Sequence, residues 1–116
     1  MRARIQSAGR RGVILALPGG ETVKASVAGQ VYLAAGGPVC GDVVEAVPGT
    51  HRWRVTKVLP RTSVLTRTSP LGKPQVLAAN VDRVLVVVSL CRPPLRTGFL
   101  DRVLASAEYN RLGCAV

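Results

Sequence analysis

The chain has 116 residues, a formal net charge of +10 and a sequence pI near 11.1. Hydrophobic residues make up 47% and aromatics only 3%, which excludes an acidic or low-complexity disordered chain and leaves Val, Leu, Ile and Ala to build any core. The longest aliphatic run, Val84 to Val88, falls far short of the roughly 20 residues a membrane span needs. No apolar stretch follows the charges of Met1-Arg2-Ala3-Arg4-Ile5, so the start does not read as a secretory signal and the expected compartment is the cytoplasm.

Cys40, Cys91 and Cys114 are widely spaced, no C-x-x-C occurs, and the only histidine is His51. Neither a structural zinc site nor a disulfide framework fits that pattern. The cysteines read as free, reduced and mostly buried thiols. His51 reads as a surface turn residue.

In chain order, the first half is a series of short strands. Gly12–Leu17 is an apolar run closed by the turn residues Pro18-Gly19-Gly20, and Thr22–Val27 alternates behind it, so the two predict a hairpin. A glycine-rich connection with Gly36-Gly37-Pro38 leads to a third strand, Asp42–Val47. After Pro48-Gly49-Thr50-His51 comes Arg52–Leu59, with the cleanest alternation in the chain. On a regular strand Arg52, Arg54 and Thr56 share one face, while Trp53, Val55 and Lys57 share the other. Pro60 ends that pairing, and Ser63–Arg67 is the expected closing strand. Five short strands joined by Gly/Pro turns suit a small closed barrel, which leaves no exposed edge. An OB-fold is the first candidate and an SH3-like barrel fits almost as well.

Ser69–Gln75 reads as a linker. Val81–Leu90 is a β-branched run of the kind buried on both faces of a parallel sheet. Beyond Pro93-Pro94, a helix is expected from Thr97, its possible N-cap, with Leu100, Val103, Leu104, Ala107 and Tyr109 at helical spacing, Asp101 in the first turn and Gly113 as the stop. A strand followed by a helix is the first half of a βαβ crossover. Residues 76–116 therefore read as the start of a larger α/β domain, the alternative being a segment that packs on the barrel or on a partner chain. The expected class is mainly β: a five-stranded barrel over 1–68, a linker over 69–75, and an incomplete α/β unit over 76–116.

Several stretches carry a resemblance in their order and spacing. They are Gly41-Asp42-Val43-Val44-Glu45, Arg54-Val55 leading to Val58-Leu59-Pro60-Arg61, and Ser63-x-Leu65-x-Arg67. Gln75-Val76-Leu77-Ala78-Ala79-Asn80-Val81-Asp82 and Leu85–Leu90 follow, then Pro93-Pro94-Leu95-Arg96-Thr97-Gly98-Phe99-Leu100-Asp101-Arg102 and the helix with Ala107-Glu108. This set resembles the ribosome small-subunit-dependent GTPase A family, circularly permuted GTPases of bacterial ribosome maturation. The resemblance implies an N-terminal OB-fold, a permuted GTPase domain and a small zinc-binding C-terminal domain. It also implies binding to the 30S ribosomal subunit and its 16S rRNA late in subunit assembly. In the permuted order, the Asn-Lys-x-Asp motif, phosphate loop and magnesium-binding switches come later than the residues present here. GTP, magnesium and zinc are therefore expected only in parts of the family beyond this sequence, with no cofactor for this chain itself.

The residues agree with that expectation. Gly72-Lys73-Pro74 lacks both the first glycine and the hydroxyl residue of a phosphate loop, and Asn80-Val81-Asp82 is not Asn-Lys-x-Asp. Asn80 and Asp82 read as shaping the entry to the following strand. Asp42 and Glu45 fall on opposite faces of a regular strand, which does not make a shared acid–base pair. No catalytic, cofactor or metal residue is assigned.

What remains is charge. Residues 1–68 hold ten of the sixteen Lys/Arg and three of the six Asp/Glu. Such an excess attracts polyanions, nucleic acid first among them. Lys24, Arg52, Arg54, Lys57, Arg61 and Arg67 are the expected RNA contacts, the alternative being a solvated cationic face. Trp53 reads as core, or as a stacking platform for a base. Two functions stay open: the N-terminal segment of a ribosome-assembly GTPase, inactive alone, or a free-standing basic RNA-binding barrel without enzymatic activity. Neither includes membrane or DNA binding.

Overall fold

The computed structural model describes residues 1–35, 37–68, 70–92 and 97–116. Gly36 of the glycine-rich connection, Ser69 of the expected linker and Pro93–Arg96 ahead of the helix lie outside these. No helix among the described residues is long and apolar enough to cross a membrane.

Five strands close a barrel: β1 (Arg2–Gly9), β2 (Gly12–Ala16), β3 (Thr22–Val27), β4 (Val43–Val47) and β5 (Trp53–Val58), in the order β1-β2-β3-β5-β4. Every neighbouring pair is antiparallel except β3 and β5. A short helix, α1 (Gly29–Ala35), stands between β3 and β4 and packs against β5. This is an OB-fold-like barrel. Its inward residues are Ala3, Ile5, Val13, Leu15, Ala25, Val44, Ala46 and Val55, all small or aliphatic, as a narrow interior requires. Trp53 is half-buried and packs against that core.

The closing strand is the N-terminal one, not Ser63–Arg67. β1 places only Ala3 and Ile5 inward, alternating with exposed Arg2 and Arg4, so its apolar signal is short and easily read as a charged tail. Strand β6 (Val64–Thr68) instead pairs antiparallel with β7 (Pro74–Ala79) in a separate two-stranded sheet. Residues 70–73 turn that hairpin, and Pro74 and Gln75 already belong to β7. The expected linker is thus largely a hairpin turn, a role Pro and Gly serve equally well.

Beyond the hairpin, β8 (Arg83–Leu85) runs parallel to β9 (Gly113–Ala115), with α2 (Thr97–Tyr109) between them. This is a complete βαβ crossover: the second parallel strand starts at Gly113, the residue read from the sequence as the helix stop. The strand expected over Val81–Leu90 is paired for only three residues. Val86 is buried, whereas Leu85, Val87 and Leu90 are exposed, so the two-sided burial that the aliphatic run suggests is not met among the described residues.

Helix α2 turns Ala107 fully inward and half-buries Leu100, Val103 and Leu104, while Tyr109 is exposed. Thr97 is already its first helical residue, which moves Asp101 out of the first turn. Two residues past the end of the helix, Arg111 lies in the left-handed region at φ 59°. The Leu112 N–H donates to the Ala107 carbonyl (2.8 Å) and the Arg111 N–H to the Glu108 carbonyl (3.0 Å), which is a Schellman ending with a non-glycine residue at its left-handed position. The left-handed conformation costs an L-residue about 1 kcal/mol that glycine avoids. Arg111→Gly is therefore expected to stabilise the end of α2 by up to about 1 kcal/mol. Slower hydrogen exchange of the last-turn amides would show it; unchanged or faster exchange would contradict it.

Candidate nucleic-acid interface

The parallel pairing of β3 with β5 sets the outer face. Ala25 lies opposite Trp53 and Ser26 opposite Arg54, so one residue earlier Lys24 and Arg52 are level with each other. Lys24, Ser26, Arg52 and Arg54 are all exposed, while Ala25, Trp53 and Val55 pack inward. The alternation of charged and apolar residues in β5 is thus a two-faced strand, with the cations in water.

A β-bulge changes the sorting of the next residues. Glu45 of β4 pairs with Lys57, but Ala46 pairs with Val55, so β5 carries one extra residue. The Thr56 hydroxyl donates to the Glu45 carbonyl at the bulge (3.3 Å). Val58 then packs on the core and Lys57 is exposed. A regular strand would have put Lys57 with Trp53 and Val55; the extra residue returns it to the outer side.

Arg52 reaches across the barrel end. Its guanidinium donates to the Arg11 carbonyl (3.2 Å), joining the segment ahead of β5 to the β1–β2 turn. Gly12 permits this turn at φ +123°, and a Cβ there would meet the Ala25 carbonyl oxygen at 2.6 Å. Arg10 and Arg11, both exposed, are thereby brought beside Arg52. Their only signal in the sequence is an Arg-Arg-Gly turn, which does not by itself indicate which strand it will meet.

Arg2 is held differently. It donates to Glu45 (3.4 Å), which also lies 3.6 Å from the Met1 ammonium. Glu45 moderates the positive charge on the β1–β4 side and leaves the β3–β5 side, extended by the β1–β2 turn, as the more cationic one.

Arg61 and Arg67 are not on this face. Arg67 lies on β6 and donates to the Gln75 side chain across the hairpin (3.0 Å). Arg61 follows β5 and turns inward onto Asp42, whose side chain is fully buried. Its Nε donates to Asp42 Oδ1 (2.8 Å), and one terminal nitrogen donates to Oδ2 (2.9 Å) and to the Gly37 carbonyl (3.3 Å). The Val39 N–H donates to Oδ2 as well (2.8 Å). Hydrogen bonding to Asp42 raises the Arg61 pKa further, against the opposing effect of burial. Asp42 sits one residue ahead of β4 and Glu45 inside it, each with its own cation, so the two carboxylates do not act together.

Cys40, Cys91 and Cys114 are free but exposed, contrary to the burial expected of them; Cys40 lies ahead of β4, Cys91 between β8 and α2, and Cys114 within β9. His51 is exposed in the bend before β5. Among the described residues no three His, Cys, Asp or Glu side chains gather where they could hold a metal.

The RsgA GTPase family model matches residues 58–116, just over half of the sequence. The chain belongs to the RsgA GTPase family. Among its relatives, the small ribosomal subunit biogenesis GTPase RsgA of Gemmatimonas aurantiaca is 34% identical over 105 residues, covering 84% of this chain and 34% of the relative. RsgA of Saccharophagus degradans is 36% identical over 73 residues, covering 63% of this chain and 21% of the relative. The crystal structure of YjeQ from Thermotoga maritima superposes with a TM-score of 0.68 at 29% identity, over 97% of this chain and 38% of that one. YloQ, a circularly permuted GTPase, shares the fold at a TM-score of 0.62 and 20% identity. This RsgA-family chain spans about a third of the length of the Gemmatimonas aurantiaca relative.

The Asp42–Arg61 pair separates a structural arginine from a free one. Arg61→Ala would leave a buried carboxylate with one backbone donor, at a cost of about 3 kcal/mol or more. Arg61→Lys would restore little of this, because an ammonium cannot replace the two-pronged contact. Urea denaturation is expected to show the loss for both; a wild-type midpoint for Arg61→Ala would refute the structural role.

Proposed function

We propose that this chain is the barrel-bearing part of a ribosome-assembly GTPase and that it binds RNA of the small ribosomal subunit through the outer β3–β5 face. The observation that carries this reading is the exposed set Lys24, Arg52, Arg54 and Lys57, two strands wide, with Arg10 and Arg11 drawn to its end by the Arg52–Arg11 contact. Membership of the family supports the ribosomal setting, since the relatives are named small ribosomal subunit biogenesis GTPases. OB-type barrels bind oligonucleotides on the β2–β3 face and on the β1–β2 and β4–β5 loops, a region that the face here shares through β3, the β1–β2 turn and Arg52 ahead of β5.

Binding proceeds through phosphate. Arginine forks grip phosphate oxygens bidentately, and Lys24 adds a point charge. With Trp53 half-buried against the core, the face offers no free aromatic for stacking, so recognition follows RNA shape and backbone rather than base identity. GTP hydrolysis belongs, in this reading, to the parts of the family that follow in sequence. The barrel supplies the attachment and the cytoplasm is the place of action.

The double variant Lys24→Ala/Arg54→Ala tests this with 16S rRNA fragments or isolated 30S subunits. Each lost phosphate contact lowers the salt slope by about 0.7–0.9, so two should weaken binding about twenty-five- to sixtyfold at 0.1 M salt. Arg67→Ala, on the hairpin, should leave binding near wild type. Undiminished affinity in the double variant, with an intact circular dichroism spectrum, would overturn the assignment.

A further inference from the structure

We infer that Asn80 is a positioning residue that fixes the barrel at a set angle to the hairpin and βαβ unit, so that whatever grips the barrel also orients the second half. Three segments meet at Asn80: Cys40–Asp42 entering β4, Arg61–Ser63 leaving β5, and Ala79–Val81 leaving β7. The Asn80 amide nitrogen Nδ2 donates to the Gly41 carbonyl (2.9 Å), and its Oδ1 accepts from the Thr62 N–H (2.9 Å) and hydroxyl (3.1 Å). One side chain therefore ties the start of β4 to the exit from β5, using donor and acceptor together.

The backbone around it is committed in the same way. The Ala79 N–H donates to the Cys40 carbonyl (3.0 Å), the Asn80 N–H to the Ser63 carbonyl (2.8 Å), and the Ser63 hydroxyl to the Val81 carbonyl (2.6 Å). Asn80 sits at φ 55°, a left-handed conformation that Asn tolerates better than most residues. Gly41 sits at φ +92°, and a Cβ on it would lie 2.1 Å from the Ala79 carbonyl oxygen, so a side chain here would collide with the β7 backbone. The Asp42–Arg61 pair seals the barrel side of the same place.

Among the described residues, the two halves share few other contacts between elements, and the Cys40–Ala78 bridge lies at this same place. The barrel strands pack on one another and on α1, while β6 packs on β7 and α2. The molecule measures 49 × 30 × 24 Å and its radius of gyration is 16.2 Å, above the roughly 13 Å of a compact chain of this length. On the far side, the Ser106 hydroxyl donates to the Thr66 carbonyl and the Asn110 amide to the Thr66 hydroxyl (3.1 Å), so α2 is fastened to the hairpin. The chain of contacts runs from barrel through Asn80 to hairpin and then to α2. Two bodies joined at one polar site turn about it when its bonds are cut.

The inference rests on the RNA-binding reading only for what the barrel grips. Its test is a distance distribution between spin labels at Thr22 on the barrel and Glu108 on α2, introduced as unnatural amino acids so that the native cysteines stay in place. Asn80→Gly keeps the left-handed backbone and removes both bridges; the distribution is expected to broaden about twofold while barrel stability and RNA affinity hold. Thr62→Ala removes the hydroxyl bond alone and should broaden it less, which keeps the inference testable if Asn80→Gly fails to fold. Asp82→Ala, exposed two residues further on, should leave it unchanged. An unbroadened distribution in both Asn80→Gly and Thr62→Ala, or equal broadening in Asp82→Ala, would overturn the inference. Loss of RNA affinity in Lys24→Ala/Arg54→Ala is a separate measurement and fails or succeeds independently.

Discussion

The buried carboxylate of Asp42 constrains the rest of the structure. A lone charge in that position would cost several kcal/mol, and only a cation with geometry to match both oxygens makes the site tenable. Arg61, nineteen positions later and past the whole of β5, supplies it. The pair therefore fixes where the chain must be when it leaves the barrel. It also removes one arginine from the surface and steers Gly37, Val39 and Gly41 into the turn that precedes β4.

Two local irregularities then decide what the barrel presents to solvent. The bulge in β5 rotates Lys57 outward and Val58 inward, so a strand that begins and ends on the core keeps its cations on one side. The reach of Arg52 to the Arg11 carbonyl adds a turn from the other end of the sheet. Neither contact is strong by itself. Together they concentrate positive charge on the β3–β5 side, next to the β1–β4 side that Glu45 moderates.

The residues that carry the family resemblance have a physical explanation of their own. Gly41, Asp42, Arg61, Ser63 and Asn80 come from three separate stretches of sequence and converge on one polar joint. None of them forms a phosphate cradle. Their spacing reflects the requirement that a barrel, a hairpin and a βαβ unit meet with every buried polar group satisfied. Beyond the joint, the exposed Leu85 belongs to a parallel pair of strands, a kind of sheet that is ordinarily covered on both faces, and the exposed Val87 and Leu90 follow it directly.

The sequence by itself determined most of the barrel, the strand–helix succession of the second half and the cationic character of the first half. Alternation in β3 and β5, Gly/Pro turns and the helical spacing in α2 are local signals, and local signals survive without knowledge of partners. It did not reveal β1, whose two inward residues are too few to stand out, nor the short α1, nor the hairpin concealed in a Pro/Gly stretch. The fate of each arginine was decided only by the tertiary structure. Arg54 and Arg61 look alike in sequence, yet one faces water and the other closes on Asp42. A side chain's partner is set by strand register and chain reversal, which bring together residues that sequence separation keeps apart. Asn80 shows the same limit: its conformation is a local preference, but its three bonds exist only because two other segments arrive beside it.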